Sequence, residues 1–577
     1  MPAGEAEDKL ARMVGALRHA PFYVSGTWTD PELGLYVGWV ERPESGYRSL
    51  PAEGGRENAA VFFSGEDLAG EACRLTGEAV AQPDELAGCD GLFHGLVVDR
   101  SRGTATLFND RYGLHRLYYH EAPDAFYFAA EAKAILAVAP ATRRLDQKAL
   151  GEFITCGCVL ENRSLFDQVN VLPPGSAWVF HGRRLVSRGS YFDPRVWESQ
   201  QPLDREGYLE EMRVTVAEAM PRYCRGRAPV AVALTGGLDT RLILAWAKAA
   251  PAALPGYTFG GTLRESQDVR IARRVARACG QPHTVLRVGP EFLNRFAGYA
   301  ERTVDLGEGA VGVANAADLY LSEQARQIAP VKIVGTWGSE ILRQTVTFKP
   351  APPLEGLFVS ELRGPIQAAA MTYADVRRLH PVTFAAFRQA GWAQYGVQFL
   401  EQTYLGLRAP FLANQFVRTA YLAPDSRHAD VRAKLVAAGH PDLAQIPTDR
   451  GIQPGSNALA YRARHLYQEF TFKAEYAFDM GMPAWLARSN ALLSPLRLER
   501  VFLGRHKFTH FRTWYCGPLA KYVQQVLLDP RTLTRSLWHR GCIEQVVSGH
   551  LSGRRNYTNT LHLLLTLELL QRRYIDA

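Results

Sequence analysis

Cysteine is scarce in this sequence. Its 8 cysteines among 577 residues are Cys73, Cys89, Cys156, Cys158, Cys224, Cys279, Cys516 and Cys542, with no CxxC pair. That spacing excludes a disulfide scaffold and a cysteine-built metal centre, and it points to free thiols in a reducing compartment. Long apolar runs are missing as well. No stretch reaches the roughly 18 apolar residues of a spanning helix, and the acidic opening MPAGEAEDKL lacks a signal-peptide core. A soluble cytoplasmic protein without a membrane partner is therefore expected, its first residues an unstructured leader. Internal repeats and low-complexity tracts are also lacking. Charge of one sign is barely in excess: 66 Lys+Arg against 58 Asp+Glu leave +8. So small a surplus does not mark a nucleic-acid binder, and a phosphate-bearing substrate accounts for it as well. With 47% hydrophobic and 21% charged residues the chain is neither disordered nor collagen-like.

At about 100–200 residues per domain the length predicts three or four units. The pattern resolves two. From 25 to 140 short strand-like runs dominate: Leu33 to Trp39, Ala60 to Phe63, Leu92 to Asp99, Thr104 to Phe108, Leu117 to Tyr119 and Ala125 to Ala129. Turn residues separate them, as in an antiparallel sandwich. A helical stretch follows from Glu131, then an extended pair, Gly175 to Phe180 and Arg184 to Arg188. A boundary is expected near 200, where QPLDREGYLEEMRVTVAEAM opens a long amphipathic helix. From 229 strands and helices alternate: strands at Pro229 to Leu234, Tyr257 to Phe259, His283 to Val288 and Val331 to Val334, helices at 241–250 and 268–279. That alternation predicts a parallel sheet covered by helices. Beyond 355 the chain reads as largely helical.

The most informative segment is Ala231-Val-Ala-Leu-Thr-Gly-Gly-Leu-Asp-Thr-Arg-Leu-Ile-Leu244. A buried strand ends at Leu234 and the chain turns sharply into a helix. Gly236 and Gly237 permit the turn and bring backbone N–H groups close to an anion. The helix start adds further N–H groups and a partial positive charge. Thr235, Thr240 and Arg241 supply donors, and Asp239 can hold a divalent cation. No GxxxxGK[ST] loop is present here, and spacing alone leaves an ordinary strand–helix turn open beside a phosphate site.

Thr235-Gly-Gly-Leu-Asp-Thr240 resembles the SGGLDS pyrophosphate loop of the asparagine synthetase family, within the ATP pyrophosphatase superfamily. Tyr257 to Gly260, Asp268 with its helix to Gly280 and His283, Leu407-Arg-Ala-Pro-Phe-Leu412 and His550 to Asn556 are similar to family segments in the same order. The front half resembles class II glutamine amidotransferases through Asn109-Asp-Arg-Tyr-Gly113, Leu117-Tyr-Tyr119 and Phe128-Ala-Ala-Glu-Ala-Lys133. The resemblance implies a class II glutaminase-like antiparallel β-sandwich over 1–200. An α/β parallel-sheet ATP pyrophosphatase domain with a large helical extension follows over 201–577. It also implies ATP and Mg2+ as cofactors, a small-molecule or peptide carboxylate and an amine or ammonia as partners, and compatibility with a homodimer. Leu234, Thr235, Gly236, Gly237, Asp239, Thr240, Phe259 and Gly335 would bind the nucleotide, Asp239 also the metal, with Glu340 and Arg450 as catalytic groups.

Departures from the family pattern narrow this. The family glutaminase uses an N-terminal cysteine; position 2 here is Pro2, the first cysteine is Cys73, and Ser64-Gly65-Glu66 replaces the NGEIYN-like segment. Glutamine hydrolysis is therefore expected to be lost. Gly335-Thr-Trp-Gly-Ser-Glu340 aligns with GEGSDE, so Thr336 and Ser339 stand where the family has acids. Fewer anionic oxygens weaken a magnesium site. Arg450, in Ile446 to Gly451, replaces a family lysine that steadies charge during acyl transfer. Three readings remain: an ATP-dependent amide-bond former using an amine or free ammonia, a non-catalytic scaffold or regulatory member still able to bind nucleotide, and another adenylating chemistry. The run Gly504-Arg-His-Lys-Phe508 with His510 and Arg512 reads as a packed helical surface, an anion site or a nucleic-acid patch. His19, His94 and His115 lack metal-ligand spacing.

Overall fold

Period-2 alternation organises the first two hundred residues. Phe62, Leu96, Val98, Ala105 and Leu107 pack on one face of a sheet, while Val61, Phe63, Phe93, Val97 and Phe108 pack on the other. The computed structural model describes residues 2–43, 48–51, 59–69, 83–424, 430–451, 458–481 and 498–576; Cys73 lies outside them. The strands are β1 (Val24–Asp30), β2 (Leu35–Glu41), β3 (Arg48–Pro51), β4 (Ala59–Asp67), β5 (Gly91–Asp99), β6 (Thr104–Asn109), β7 (Tyr118–Glu121), β8 (Phe126–Ala129), β9 (Asn170–Val171), β10 (Ser176–His181) and β11 (Arg184–Ser190). Six form an antiparallel sheet in the order β11-β10-β6-β5-β4-β3. The β1-β2 hairpin and the β8-β7-β9 sheet cover its first face through Trp28, Val37, Trp39, Leu117, Tyr119, Phe126 and Phe128. This is the expected sandwich. Two local expectations fail. The opening residues are a helix, Ala3–Ala16, packed on β2 and on the helix Ala132–Val138, and β1 was not anticipated.

The second sheet is built from β12 (Val230–Ala233), β13 (Gly256–Gly261), β14 (His283–Val288), β15 (Val331–Ile333) and β16 (Gly406–Arg408), all parallel, in the order β14-β13-β12-β15-β16. Ala231 belongs to one core cluster and Val230 and Val232 to the other, so helices cover both faces. The strands run β12, β13, β14 to one side, and the chain then returns to lay β15 on the other side of β12. The order reverses at β12, between β12 and β15. The predicted helices start and stop within a few residues of expectation, at Arg205–Tyr223, Asp239–Trp246 and Gln267–Ala278.

The remainder is helical as expected. Lys507 pairs with Asp479, His506 bonds Thr471 at 2.9 Å, and Arg512 lies 4.2 Å from the Phe478 ring centroid. The basic aromatic run is thus packed as expected, but residues 504–510 form turns lying on the helix Ala458–Met480 and not a helix of their own. Burial pushes His506, His510 and His550 down to about 4, and His562 down to about 3. Depressed histidines contribute stability that is present above their ordinary pKa near 6.5 and lost as pH falls through 4. Glu475, raised by burial, acts the opposite way, one group against four. Hydrogen exchange of the helix Thr558–Leu570 is therefore expected to accelerate steeply between pH 6.5 and 4 relative to its intrinsic rate. His562→Gln is expected to remove about one proton from that dependence. A flat profile in the wild type would refute it.

Seven cysteines among the described residues are free, with Cys89, Cys156 and Cys158 buried. Among the described residues no helix is long and apolar enough to cross a membrane.

Candidate nucleotide site

Two loops leave the carboxyl ends of β12 and β15, the neighbours at the reversal of strand order, where open α/β sheets form their ligand crevice. The first, Thr235 to Leu238, runs into the helix Asp239–Trp246, which has no side-chain cap. Its first-turn N–H groups therefore face the crevice without a side-chain partner from the capping position. The second, Val334 to Trp337, runs into Gly338–Leu342. The loops touch: a Cβ on Gly338 would lie 2.8 Å from the Asp239 carboxyl carbon, so only glycine fits there. Trp337, fully buried, sits at φ 74, a left-handed backbone costly for a bulky side chain.

Within the first loop, Leu234 N–H donates to the Tyr257 carbonyl at 2.7 Å, and the Leu234 carbonyl accepts from Thr258 Oγ1 at 2.9 Å, anchoring the strand end. Thr235 N–H reaches Thr240 Oγ1 at 3.3 Å, and Gly237 N–H reaches Thr235 Oγ1 at 3.4 Å. Gly236 N–H is taken by Asp268 Oδ1 at 2.7 Å, and its carbonyl by Asp449 N–H at 3.2 Å. Neither glycine of the pair has a left-handed backbone. Gly236 is required instead by proximity, because a Cβ would lie 2.9 Å from both Asp268 Oδ1 and Asp449 Cβ. Burial, and next the charge of Asp449, push the Asp268 carboxyl up to about 6.

Arg241 differs from expectation. Its guanidinium, 1% exposed, turns away from the loop and donates to the carbonyls of Leu443, Ile446, Pro447 and Gly236. It ties the 443–449 segment under the loop and offers nothing to an anion. Arg450 follows Asp449, with which it also pairs at 3.5 Å. Arg450 Nη1 donates to Glu469 at 2.8 Å and its guanidinium stacks on Phe472 with 3.3 Å to the ring centroid. Phe259, on β13, meets Phe508 edge to face at 5.6 Å. Glu340 accepts from Gln394 Nε2 at 2.8 Å, and burial raises its carboxyl.

Sequence reasoning missed the arginine that holds Asp239. Arg432 Nη1 donates to Asp239 Oδ1 at 2.5 Å and to Ser339 Oγ at 2.7 Å, and Ser339 Oγ donates to Asp239 Oδ2 at 2.7 Å. Its Nε and Nη2 fork onto Asp430 at 2.8 and 3.0 Å. Burial opposes the charge of Arg432, but the bonds to Asp430 and the charge of Asp239 outweigh it and hold the guanidinium well above its ordinary pKa. No motif marks this arginine. The donor set does not fit a magnesium ion held by the protein. Both Asp239 oxygens are engaged, Thr336 and Ser339 are neutral, and among the described residues no three acidic, histidine or cysteine side chains converge.

In the first domain Ser64 Oγ lies 3.0 Å from His115 Nε2, and the His94 and His115 rings lie 4.3 Å apart, tilted by 35°, against a cavity of about 460 Å³. Glu66 is spent on a bidentate pair with Arg408 of β16, at 2.7 and 2.8 Å.

Fold and site together define an amidotransferase-like antiparallel domain joined to an α/β synthetase domain with a crevice between two loops. Residues 77–192 match the family described as a glutamine amidotransferase domain, and residues 211–404 match asparagine synthase. The chain thus has an asparagine-synthetase-like architecture. Asparagine synthetase (glutamine-hydrolyzing) 1 of Bacillus subtilis (strain 168) is 25% identical over 207 residues, covering 36% of this chain and 32% of that protein. A Schizosaccharomyces pombe (strain 972) protein named "Probable asparagine synthetase (glutamine-hydrolyzing)" is 24% identical over 231 residues, covering 38% and 35%. The chain spans about a third of the length of these relatives. A solved glutamine phosphoribosylpyrophosphate amidotransferase from B. subtilis aligns at 8% identity over 48% of this chain and 88% of that one, with a TM-score of 0.22, too low to bear on the fold.

Proposed function

We propose that this chain is an ATP-dependent ligase that activates a carboxylate as an acyl-adenylate, releases pyrophosphate and passes the acyl group to an amine or free ammonia. One observation carries it: the glycine turn and the uncapped helix start lie at the reversal point of the parallel sheet, facing a second glycine-containing loop. Leu234, Thr235, Gly236, Gly237, Asp239, Thr240 and Gly335 line the phosphate side, and Phe259 the nucleoside side. Arg450 balances charge as the acyl group transfers, and Glu340 sits behind the second loop. Magnesium enters only as the ion ATP carries on its own phosphates. Domains divide near residue 200, and a carboxylate on a small molecule or peptide is the acid substrate.

Glutamine hydrolysis has no place in this proposal. Glu66, in the segment replacing the family's substrate strand, is committed to Arg408 of the synthetase sheet, which supports a scaffolding role for the first domain. A second reading, a nucleotide-binding regulatory protein without turnover, is favoured by the Arg432 bonds that occupy Asp239.

The test is pyrophosphate release from ATP and magnesium across a panel of carboxylic acids, with hydroxylamine as the trapping amine, alongside calorimetric titration of ATP. Release that depends on an added acid is expected. ATP binding without release under any acid selects the regulatory reading, and no ATP binding sinks both.

A further inference from the structure

The crevice holds a cation already. We propose that Arg432 takes the place of a protein-held divalent ion, so that phosphate groups at the Gly236–Asp239 turn are bound without a metal on Asp239. This rests on the nucleotide reading above and deepens it.

The guanidinium of Arg432 bridges two carboxylates, Asp239 and Asp430, and one hydroxyl, Ser339. Ser339 Oγ donates to Asp239 Oδ2 at 2.7 Å and accepts from Arg432 Nη1 at 2.7 Å, closing a triangle whose third side is the 2.5 Å Arg432–Asp239 bond. A carboxylate at position 339 could accept from Arg432 but could not donate to Asp239; the hydroxyl does both.

The guanidinium is also fixed in place. Four of its five N–H groups are committed to described residues, two on Asp430 and one each on Asp239 and Ser339. Arg432 is 4% exposed, its backbone held by the helix Arg432–Gly439, which packs on the helix Asp239–Trp246. A guanidinium stays charged at every working pH and needs no metal to be recruited. These bonds leave one Nη2 N–H over, and a guanidinium N–H bonds phosphate oxygens as readily as carboxylates.

Full-length protein is titrated with inorganic pyrophosphate and with ATP by calorimetry, in EDTA and in excess magnesium chloride, and with Mn2+ alone by electron paramagnetic resonance. Wild type is expected to bind pyrophosphate in EDTA, with affinity changed less than about threefold by magnesium, and to leave Mn2+ unbound. Arg432→Gln is expected to lose at least tenfold in EDTA, with Arg432→Lys retaining part of the affinity. Combining Arg432→Gln with Ser339→Asp is expected to restore binding only with magnesium. Pyrophosphate binding that needs magnesium in wild type and ignores Arg432→Gln overturns the proposal while the nucleotide reading stands. Tight Mn2+ binding by wild type alone overturns it too, which keeps the test decisive if the glutamine variant fails to fold. Wild type that binds neither pyrophosphate nor ATP with or without metal removes the nucleotide reading and the proposal with it.

Discussion

Asp239→Ala is expected to lower pyrophosphate release by about 100-fold or more, while far-UV circular dichroism stays unchanged. Asp239 is the first residue of its helix and points into the crevice, where it holds both Arg432 and the Ser339 hydroxyl. Truncation leaves Arg432 on Asp430 and the Ser339 hydroxyl and removes the carboxylate that links the two loops. Losing one preorganised electrostatic partner of a reacting group commonly costs about 10²–10³-fold. Asp239→Asn keeps an acceptor for Arg432 and loses the charge, so a smaller loss of about tenfold is expected. The helix itself needs no carboxylate cap, which is why folding is spared. An alanine variant as active as wild type would place the chemistry elsewhere.

Part of this site was legible in the sequence because it is local. Thr235 to Thr240 carries its own turn, its own helix start and its own acid, and strand–helix alternation from 229 onward dictates the parallel sheet around it. Gly335 to Glu340 was legible for the same reason. What could not be read is what the fold brings from afar. Arg432 lies 193 residues beyond Asp239, in no motif, and becomes significant only through the packing of its helix. Arg241 was misassigned because sequence shows that a donor is present but not which way it points. The β16 strand, Gly406–Arg408, is too short to show a period, and β1 pairs with β2 alone, with only one of its seven residues buried. The glycine pair was explained by turn geometry, whereas Gly236 is needed for its distance from Asp268 and Asp449, again a tertiary fact.

The same distinction governs how the two domains are held together, and it gives the second large effect. Glu308→Ala is expected to lower hydrogen-exchange protection of the Ala132 and Lys133 amides by about 100-fold. Glu308 follows the helix Phe296–Gly307 of the synthetase domain at φ 50. Its Oε2 accepts from Ala132 N–H at 2.8 Å and its Oε1 from Lys133 N–H at 2.6 Å, capping a helix of the amidotransferase-like domain from outside. Glu131, the residue preceding that helix, makes no side-chain cap; its carboxylate pairs instead with Lys133 Nζ at 2.7 Å and His19 Nε2 at 2.6 Å. Lys133 Nζ also donates to the Asp305 carbonyl at 3.0 Å. The whole group is buried, so water cannot replace Glu308. Stranding a buried donor costs about 1–3 kcal/mol, and two of them together about 3 kcal/mol, which at about 1.4 kcal/mol per decade is the stated hundredfold. Glu308→Gln keeps one acceptor oxygen but turns an amide donor toward the other N–H, and an intermediate loss is expected. Burial raises the Glu308 carboxyl to about 8. Glu308→Gly, which also removes the cost of the left-handed backbone, separates strain from hydrogen bonding: if the carboxyl group is the clamp, the glycine variant loses protection as the alanine variant does. Unchanged protection in all three variants would mean that the domains are held by their apolar contacts alone.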